Sequence, residues 1–322
     1  MAITDSFIER ARGTGKRIVL PEGDDARMVA AAARLVEQDV AVPILLGKED
    51  KVQAAAAEAG VDLARVTCID PAVDSRLEEY IQSYADKREV SPGLAKRLVR
   101  KPLYFGSMMV ADGAADGGVA GLASTTTAVI QAATLTIGHA AGASQASSLF
   151  IMELPDRDPL IYADAAIVPQ PSARELAEIA VTTARSARAL LDIEPLVALL
   201  SFSTYGSAAH PDVDKVKEAA ELAKVMAPDV AIDGELQADA ALSPKVAEKK
   251  GATSPVAGHA NVLVFPDLDA ANIAYKLTQY LAGANAIGPI MQGFARPFND
   301  LSRGASVDDV VAVAAIAAVQ AV

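Results

Sequence analysis

Short apolar runs alternate along the chain with longer segments in which apolar residues recur every three or four positions. The short runs predict strands, and a further short strand is expected around Cys68; the predicted strands cover residues 17–21, 42–46, 148–152, 197–200, 230–232 and 262–265. The longer segments predict helices at residues 25–38, 49–59, 172–191, 211–227, 270–281 and 307–319. This alternation is typical of βαβ units and predicts an α/β fold with mainly parallel sheets.

The length of the chain, 322 residues, exceeds that of one average domain, and 52% hydrophobic residues allow a sizeable core. A Gly/Ala/Ser stretch at 140–144 is the expected boundary. The C-terminal helix has no strand after it and is expected to pack back onto the first domain. We therefore predict two α/β domains, 1–142 plus 290–322 and 143–289, with a ligand-binding cleft between them.

Charge and composition exclude several classes of protein. The 41 acidic and 29 basic residues give a net charge of −12, which argues against nucleic acid or an anionic membrane as the partner. The N-terminal residues are polar and no apolar run reaches about 18 residues, so a cytoplasmic location is expected. Cys68 is the only cysteine, which rules out a disulfide within the chain, and it is expected to be a small buried side chain.

The segment that follows residue 298 combines three different chemistries. Ser302 supplies a hydroxyl, Arg303 a fixed cation and Asp309 a carboxylate, all within one loop and the first turn of the helix after it. A guanidinium beside a helix N-terminus can bind an anion, and a carboxylate beside them can act as a general base. The alternative is that Ser306 and Asp309 form a capping box and serve only the helix.

A second candidate follows the predicted strand at 197–200. Several hydroxyls and a glycine at a strand's carboxyl end suit a phosphate or carbonyl ligand, and the candidate ligand-binding residues are Ser201, Ser203, Thr204, Gly206 and Ser207. An ordinary Ser/Gly turn is the alternative. The pattern Gly-x-x-x-x-Gly-Lys is absent, which argues against a nucleoside triphosphate.

The sequence leaves open the role of several other polar clusters. Three acids close behind the strand at 230–232 could bind a divalent metal or perform acid/base chemistry, or they could cap a helix and hold a domain interface; they are Asp233, Glu235 and Asp239. Glycines at 116–121 followed by hydroxyls at 124–127 form another turn that leads into a helix. The three histidines, at positions 139, 210 and 259, lack metal-ligand spacing.

Sequence blocks along the whole chain resemble the phosphate acetyl/butyryltransferase family. The blocks begin at residues 18–23 and continue with 154–156, 197–204, 227–229, 232–237, 254–258, 265–267, 272–276, 288–290 and 299–304. The resemblance implies reversible acetyl transfer between acetyl phosphate and coenzyme A, with coenzyme A as a substrate and no metal or redox cofactor. It also implies two α/β domains with a cleft, similar to isocitrate/isopropylmalate dehydrogenases, and a homodimer.

The resemblance also assigns residue roles. Asp309 matches the general base that takes the thiol proton, Arg303 the cation that binds the acyl phosphate, and Ser302 a hydroxyl that bonds the reacting oxygen. Residues expected to bind substrate are the hydroxyl loop named above together with Gln131, Asn299 and Asp300.

Several positions depart from the family pattern, and most of the departures remove positive charge. Arginines of the family are replaced by Gln131 and Ala85, and other basic residues by His259 and Tyr205, while Ser124 stands where the family has a histidine. These changes leave open a preference for propionyl or butyryl phosphate, or a non-catalytic homologue that binds coenzyme A or acyl phosphate. A dehydrogenase of similar two-domain fold is a third alternative, but the glycine pattern that binds dinucleotides is absent.

Overall fold

The computed structural model describes residues 2–155 and 157–321. Three residues lie outside the described part: Met1 and Val322, at the ends of the predicted first domain, and Asp156 of the block 154–156. The chain divides into two compact units. Unit 1 comprises the residues up to Ala140 and those from Phe294 onward, and unit 2 comprises Ala141–Gly293.

The helices and strands follow one another in this order: α1 (Ile3–Ala11), β1 (Arg17–Leu20), α2 (Ala26–Glu37), β2 (Val42–Leu46), α3 (Glu49–Ala59), β3 (Thr67–Ile69), α4 (Leu77–Arg88), α5 (Pro92–Val99), α6 (Pro102–Asp112), β4 (Gly117–Ala120), α7 (Thr126–Thr136), β5 (Ser147–Glu153), β6 (Leu160–Ala163), α8 (Ala173–Leu191), β7 (Leu196–Leu200), α9 (Pro211–Met226), β8 (Ala231–Leu236), α10 (Ala238–Leu242), α11 (Pro244–Lys249), β9 (Val262–Val264), α12 (Leu268–Ala282), β10 (Asn285–Gln292), β11 (Phe298–Asp300) and α13 (Val307–Gln320).

The sheet of unit 1 is parallel throughout, with strand order β11-β4-β1-β2-β3. Its central strand β1 places Val19 beside Ile44 on one side and Gly118 on the other. A Cβ at Gly118 would lie 2.4 Å from the ring of Phe298, so only glycine lets β11 approach β4 with this aromatic residue between them. Helix α13 packs against α1, α2 and β4, all within unit 1.

The sheet of unit 2 has strand order β10-β5-β6-β9-β7-β8. The strands β6, β9, β7 and β8 are parallel, whereas β10 and β5 run antiparallel to their neighbours. Both sheets lie among helices and their strands are largely buried, which explains the nearly continuous apolar runs in the sequence. The predicted α/β class with mainly parallel sheets is confirmed. None of the described helices has the length and apolar character to cross a bilayer.

Two local predictions are wrong. Asp233 and Glu235 were expected behind a strand, but β8 extends through both of them, because their side chains find hydrogen-bond partners inside the fold. Cys68 was expected to be buried, but it is exposed. It lies on β3, the edge strand of its sheet, where fewer elements cover the side chains.

Candidate functional site

Three loops of unit 1 meet at one edge of its sheet. The strands β11, β4 and β1 are adjacent and parallel, so the segments that leave their carboxyl ends converge. These segments begin at Pro21, Gly121 and Leu301. The carboxyl edge of a parallel sheet is where α/β proteins usually bind ligands. Ser302 and Arg303 lie in the third of these segments.

The loop after β4 is held by one buried carboxylate. Glu22 accepts hydrogen bonds from four successive backbone N–H groups, those of Gly121 (2.9 Å), Leu122 (2.8 Å), Ala123 (3.1 Å) and Ser124 (2.8 Å). Such a row of N–H groups before a helix is a common anion site. Here the protein's own carboxylate occupies it, so these N–H groups are not available to a substrate phosphate.

The polar side chains at the end of β11 are also buried inside the unit. Asn299 is fully buried and donates to Gln320 at 2.8 Å. Asp300 is only 3% exposed and accepts a 2.5 Å hydrogen bond from the hydroxyl of Thr126, while its Oδ1 has no hydrogen-bond partner among the described residues. Burial, together with the charge of Glu22, raises the pKa of Asp300 to about 6. Both residues were predicted to bind substrate, and the structure instead places them inside the unit.

The segment that carries Ser302 and Arg303 is anchored through its backbone. The guanidinium of Arg27 donates to the carbonyl oxygens of Arg303 (2.8 Å) and Ala305 (3.0 Å), and it is held by Asp25 through a 2.7 Å ion pair. Ser302 and Arg303 are themselves exposed, and the Arg303 guanidinium has no hydrogen bond or ion pair within 2–155 and 157–321. The loop therefore presents a cation that no carboxylate of the described chain neutralises.

Asp309 lies in the first turn of α13 and forms the capping box that the spacing allowed. Its Oδ2 accepts from the backbone N–H and the hydroxyl of Ser306, both at 2.8 Å, and its own N–H donates to that hydroxyl at 3.2 Å. The side chain is exposed, and Oδ1 accepts no hydrogen bond from the described residues. One oxygen thus serves the helix and the other is accessible to a proton donor. The neighbouring Asp308 pairs with Arg34 of α2 instead.

The hydroxyl loop of unit 2 lies at the carboxyl end of β7, but most of its polar groups bond to the protein. Ser203 is buried and donates to Glu235 at 2.8 Å, and Gly206 donates its N–H to the same carboxylate at 2.7 Å. Thr204 is also buried and donates to the side-chain oxygen of Gln237, and Ser207 accepts from the Thr204 N–H. These contacts fasten the loop to β8.

The three acids near this loop have structural partners as well. Asp233 accepts a 2.6 Å hydrogen bond from Tyr205, and burial and this carboxylate raise the pKa of Tyr205 to about 12. Lys250 pairs with Asp239 at 2.8 Å and lowers the pKa of that carboxyl group. No group of three His, Cys, Asp or Glu side chains in the described chain could hold a metal.

Ser201 differs from the rest of the loop because it lines a cavity. This cavity, of about 390 Å³, lies within unit 2 where β7 and β9 end. The rings of Phe202 and Phe265 contribute apolar surface, and Asp212 and Lys215 contribute charge. Because it combines apolar walls with a few polar groups at the carboxyl ends of strands, it is a candidate binding cavity.

The structure also shows where the positions that depart from the family pattern lie. Gln131 is exposed on α7, whereas Ala85 is buried on α4. Lys87 and Arg88, the basic residues nearest to Ala85, donate to the carbonyl oxygens of residues 134–136 that end α7. Both side chains therefore cap a helix. His259 is exposed beside a different cavity of unit 2.

Two residues that matter for this site were not predicted from the sequence. Glu22 follows the first strand in a Pro-Glu-Gly turn, so its place after a strand was visible, but its four partners lie 99 to 102 positions later in the chain. Arg27 anchors carbonyl groups 276 and 278 positions away. No local spacing indicates contacts of this kind.

Comparison with known proteins agrees with this architecture. Residues 2–318 match the family described as phosphate acetyl/butaryl transferase. The phosphate acetyltransferase of Thermoanaerobacterium thermosaccharolyticum is 48% identical over 100% of both chains, and that of Clostridium acetobutylicum is 45% identical over 100% of this chain and 99% of its own.

Comparison with solved structures indicates the same family. A phosphotransacetylase from Streptococcus pyogenes superposes with a TM-score of 0.96 at 41% identity, covering 100% of this chain and 99% of its own. The EutD phosphotransacetylase from Staphylococcus aureus has a TM-score of 0.93 at 42% identity, with coverage of 99% and 98%. The chain therefore belongs to the phosphate acetyl/butaryl transferase family, a family of acyltransferases.

Proposed function

We propose that this protein is a phosphate acetyltransferase that transfers an acetyl group reversibly between acetyl phosphate and coenzyme A. The observation that carries the proposal is the exposed loop at the edge of the unit 1 sheet. It presents Ser302 and the guanidinium of Arg303, which has no partner among the described residues, and six positions later, in the first turn of α13, the Oδ1 of Asp309, which accepts no hydrogen bond from them. Relatives that are 45–48% identical over the whole chain carry the name phosphate acetyltransferase.

The proposed reaction is a direct attack with both substrates bound together. Asp309 takes the proton of the coenzyme A thiol, because only the thiolate attacks well and a free thiol with a pKa of about 8.5 is mostly protonated at neutral pH. The sulfur forms a bond to the acetyl carbonyl carbon, and the bond from that carbon to the phosphate oxygen breaks. Arg303 and the Ser302 hydroxyl stabilise the negative charge that develops on the oxygens, and phosphate leaves.

The proposed substrate-binding set is narrower than the sequence indicated. Ser201, which lines the cavity of unit 2, and the exposed residues Gly206, Ser207 and Gln131 remain candidates. The buried side chains of Ser203, Thr204, Asn299 and Asp300 support the elements around the site instead. In this proposal coenzyme A is a substrate, no cofactor takes part, the protein is cytoplasmic and it acts as a homodimer.

The test is formation of acetyl-CoA from acetyl phosphate and coenzyme A by the purified protein. Asp309→Asn keeps an oxygen for the capping box but removes the base, so kcat is expected to fall roughly a hundredfold or more while the fold persists. Asp308→Asn is the matched control, because Asp308 is the adjacent exposed acid and pairs with Arg34 of α2. Equal rates in the two variants would contradict the role of Asp309.

A different acyl preference is the second candidate, and specific positions favour it. Gln131 and Ala85 carry no charge where the resemblance places arginines, and Lys87 and Arg88 are committed to capping α7. Loss of a charge-assisted contact to phosphate weakens binding by about 1.5–3 kcal/mol. A panel of acetyl, propionyl and butyryl phosphate separates the two candidates by their kcat/KM values. Binding of coenzyme A without turnover of any of the three would instead indicate a non-catalytic homologue.

A further inference from the structure

The cavity that Ser201 lines lies where two adjacent strands of unit 2 end. The strands β7 and β9 pair in parallel, so the segments that follow them, beginning at Ser201 and Phe265, leave the sheet side by side. The amino-terminal parts of two helices complete the walls, with Asp212 and Lys215 from α9 and Ala270 from α12. The volume of about 390 Å³ lies within the range of about 300–1,000 Å³ that small-molecule sites occupy. The cavity is therefore large enough for a compact organic ligand.

Two aromatic rings form apolar walls of the cavity, and one of them is open to solvent. Phe265 is 8% exposed and packs on Tyr162 with ring centroids 5.1 Å apart, so the core holds its ring in place. Phe202 is 56% exposed, and its ring contacts that of His210 with centroids 5.9 Å apart. A single exposed apolar residue is ordinary, but an aromatic ring at the rim of a cavity is available to a flat ligand, because aromatic rings stack on one another.

Two side chains of the cavity can donate hydrogen bonds to a ligand. Lys215 donates to the carbonyl oxygen of Pro266 at 2.8 Å, a bond that uses one of the three N–H groups of its ammonium. The same bond holds the ammonium beside the segment that follows β9. Ser201 Oγ accepts from the N–H of Ser203 at 3.3 Å, and that bond does not use the O–H of Ser201. A ligand that carries acceptor atoms can therefore bind to both side chains.

Two carboxylates supply acceptors and set the sign of the charge. One oxygen of Asp267 accepts from the N–H of Ala270 at 2.8 Å and caps α12, and this bond does not use the other oxygen. The side chain of Asp212 is 68% exposed and lies 3.4 Å from Nδ1 of His210. With these two carboxylates against the one ammonium of Lys215, the cavity does not favour a phosphate group or another polyanion. The charge instead suits a neutral ligand that has both donor and acceptor atoms.

We propose that this cavity binds the purine base of a nucleoside or nucleotide. A purine is flat, its face stacks on aromatic side chains, and its edge carries ring-nitrogen acceptors, to which adenine and guanine add an amino-group donor. The base stacks on Phe202, Lys215 and Ser201 donate to its acceptor atoms, and a carboxylate of the cavity accepts from its amino group. The phosphate groups of a nucleotide stay outside the cavity, away from Asp212 and Asp267.

Two kinds of ligand can bring a purine base to this site. Coenzyme A, a substrate in the proposed function, carries adenine at one end, whereas a free nucleotide carries the base without the thiol arm. The first case rests on the proposed function and makes Phe202 a specificity residue for coenzyme A. The second case is independent of acyl transfer and makes the cavity an effector site. The two cases differ in what loss of the Phe202 ring does to catalysis.

The fluorescence of one introduced tryptophan tests binding of the base. The chain has no Trp, so Phe202→Trp places a single indole at the rim of the cavity, where a stacked purine quenches its emission. Titration with adenosine or guanosine should quench it saturably, whereas pantetheine, the part of coenzyme A without the nucleotide, should not. Val225→Trp is the matched control, because Val225 is 81% exposed on α9 and lies about 20 Å along the helix axis from Asp212. Its emission should not respond to the nucleosides.

Phe202→Ala distinguishes the two sources of the base. Loss of one base–aromatic stack weakens binding by about ten- to a hundredfold, so the dissociation constant of the nucleoside, measured by equilibrium dialysis, should rise by this factor. If coenzyme A is the source, its KM rises by the same factor and the loss falls on KM rather than on kcat. If a free nucleotide is the source, the KM for coenzyme A does not follow the dissociation constant. Val225→Ala should match wild type in both measurements, and circular dichroism should show the same helix content in all three proteins.

Three results would each overturn the proposal. They are the absence of saturable binding of adenosine and guanosine to the wild-type protein, quenching by pantetheine as strong as that by coenzyme A, and a Phe202→Ala variant with an unchanged dissociation constant for the nucleoside. Binding of adenosine by a protein that shows no acetyl transfer would contradict the proposed function alone, because the purine site does not require that reaction.

Discussion

Asp300 is a buried acid that lies at the end of a strand with another buried carboxylate, that of Glu22, nearby. The Thr126 hydroxyl donates to one of its oxygens, and the other has no partner in the part of the chain that the structure describes. Burial and the Glu22 charge raise the pKa of Asp300 to about 6 from an ordinary value of 3.8. The folded protein therefore holds a proton on Asp300 at pH values where the unfolded chain has released it.

This difference makes the contribution of Asp300 to stability depend on pH. Since the pKa is higher in the folded state, the unfolded chain binds fewer protons, and stability falls as pH rises from about 4 to about 6. Asp300→Asn removes this titration and can still accept from Thr126. The free energy of unfolding of the variant relative to wild type should therefore increase by about 2 kcal/mol between pH 4.5 and pH 7.5.

Thermal unfolding of both proteins at the two pH values measures this change. Asp308→Asn is a suitable control because Asp308 is exposed, so its effect should be nearly the same at both pH values. A constant difference between Asp300→Asn and wild type across this range would show that Asp300 is not the buried titrating group.

Arg27 has a positioning role at the proposed active site. It connects the first turn of α2 to the backbone that carries Arg303, through two carbonyl oxygens. Arg27→Ala should therefore reduce kcat by about ten- to a hundredfold, because a small displacement of a catalytic group has large effects. The loss of stability should stay within about 1 kcal/mol, since the Arg27–Asp25 ion pair is partly exposed.

The control for Arg27 is Arg34→Ala. Arg34 lies on the same helix and pairs with Asp308, so it also joins α2 to the C-terminal segment, but it does not contact the Arg303 loop. Its removal should leave kcat close to that of wild type. Equal losses of kcat in the two variants would mean that Arg27 acts only by joining α2 to the C-terminal segment, and not by positioning the Arg303 loop.

At the scale of elements, the loop between β4 and α7 depends on Glu22. Glu22→Gln would replace one acceptor oxygen with an N–H₂ group facing backbone N–H donors. Buried donors without partners cost about 1–3 kcal/mol each, so we expect a loss of about 3 kcal/mol and faster amide hydrogen exchange at residues 121–124. Glu175→Gln, at an exposed capping box on α8, should have an effect below about 1 kcal/mol. Unchanged exchange at the loop in Glu22→Gln would contradict the proposed role of the carboxylate.

The prediction of elements from sequence succeeded where the pattern is local. The strand at 42–46 and the helix at 49–59 match β2 and α3 residue for residue, because apolar periodicity and flanking signals lie within each segment. The capping box of Asp309 was also visible from spacing alone. The hydrogen bonds of Glu22 and Arg27 could not be predicted, since their partners are about 100 to 280 positions away.

Helix α12 shows a second limit of local patterns. The sequence predicted a helix at 270–281 and the structure places it at Leu268–Ala282. However, apolar residues occur on both sides of it: small alanines and Tyr275 face the sheet, while larger side chains such as Leu277 face outward. A helix with apolar residues on two sides does not reveal from periodicity which of the two its own core covers.

At the scale of the whole molecule, the net charge of −12 opposes any self-association. The homodimer of the proposed function brings two such chains together against this repulsion. The repulsion between the remaining surfaces is long-ranged and is screened by salt, since the Debye length falls from about 30 Å at 0.01 M to about 10 Å at 0.1 M ionic strength. An apolar contact between two copies is not weakened by this screening.

The dimer should therefore become tighter as salt is added. We expect the dissociation constant to fall by about tenfold between 0.01 and 0.15 M sodium chloride, measured by sedimentation equilibrium. An interface held by ion pairs, for example by Lys276, would show the opposite trend, because salt weakens exposed ion pairs. A dissociation constant that rises with salt would mean that charge attraction, and not apolar contact, holds the two copies together.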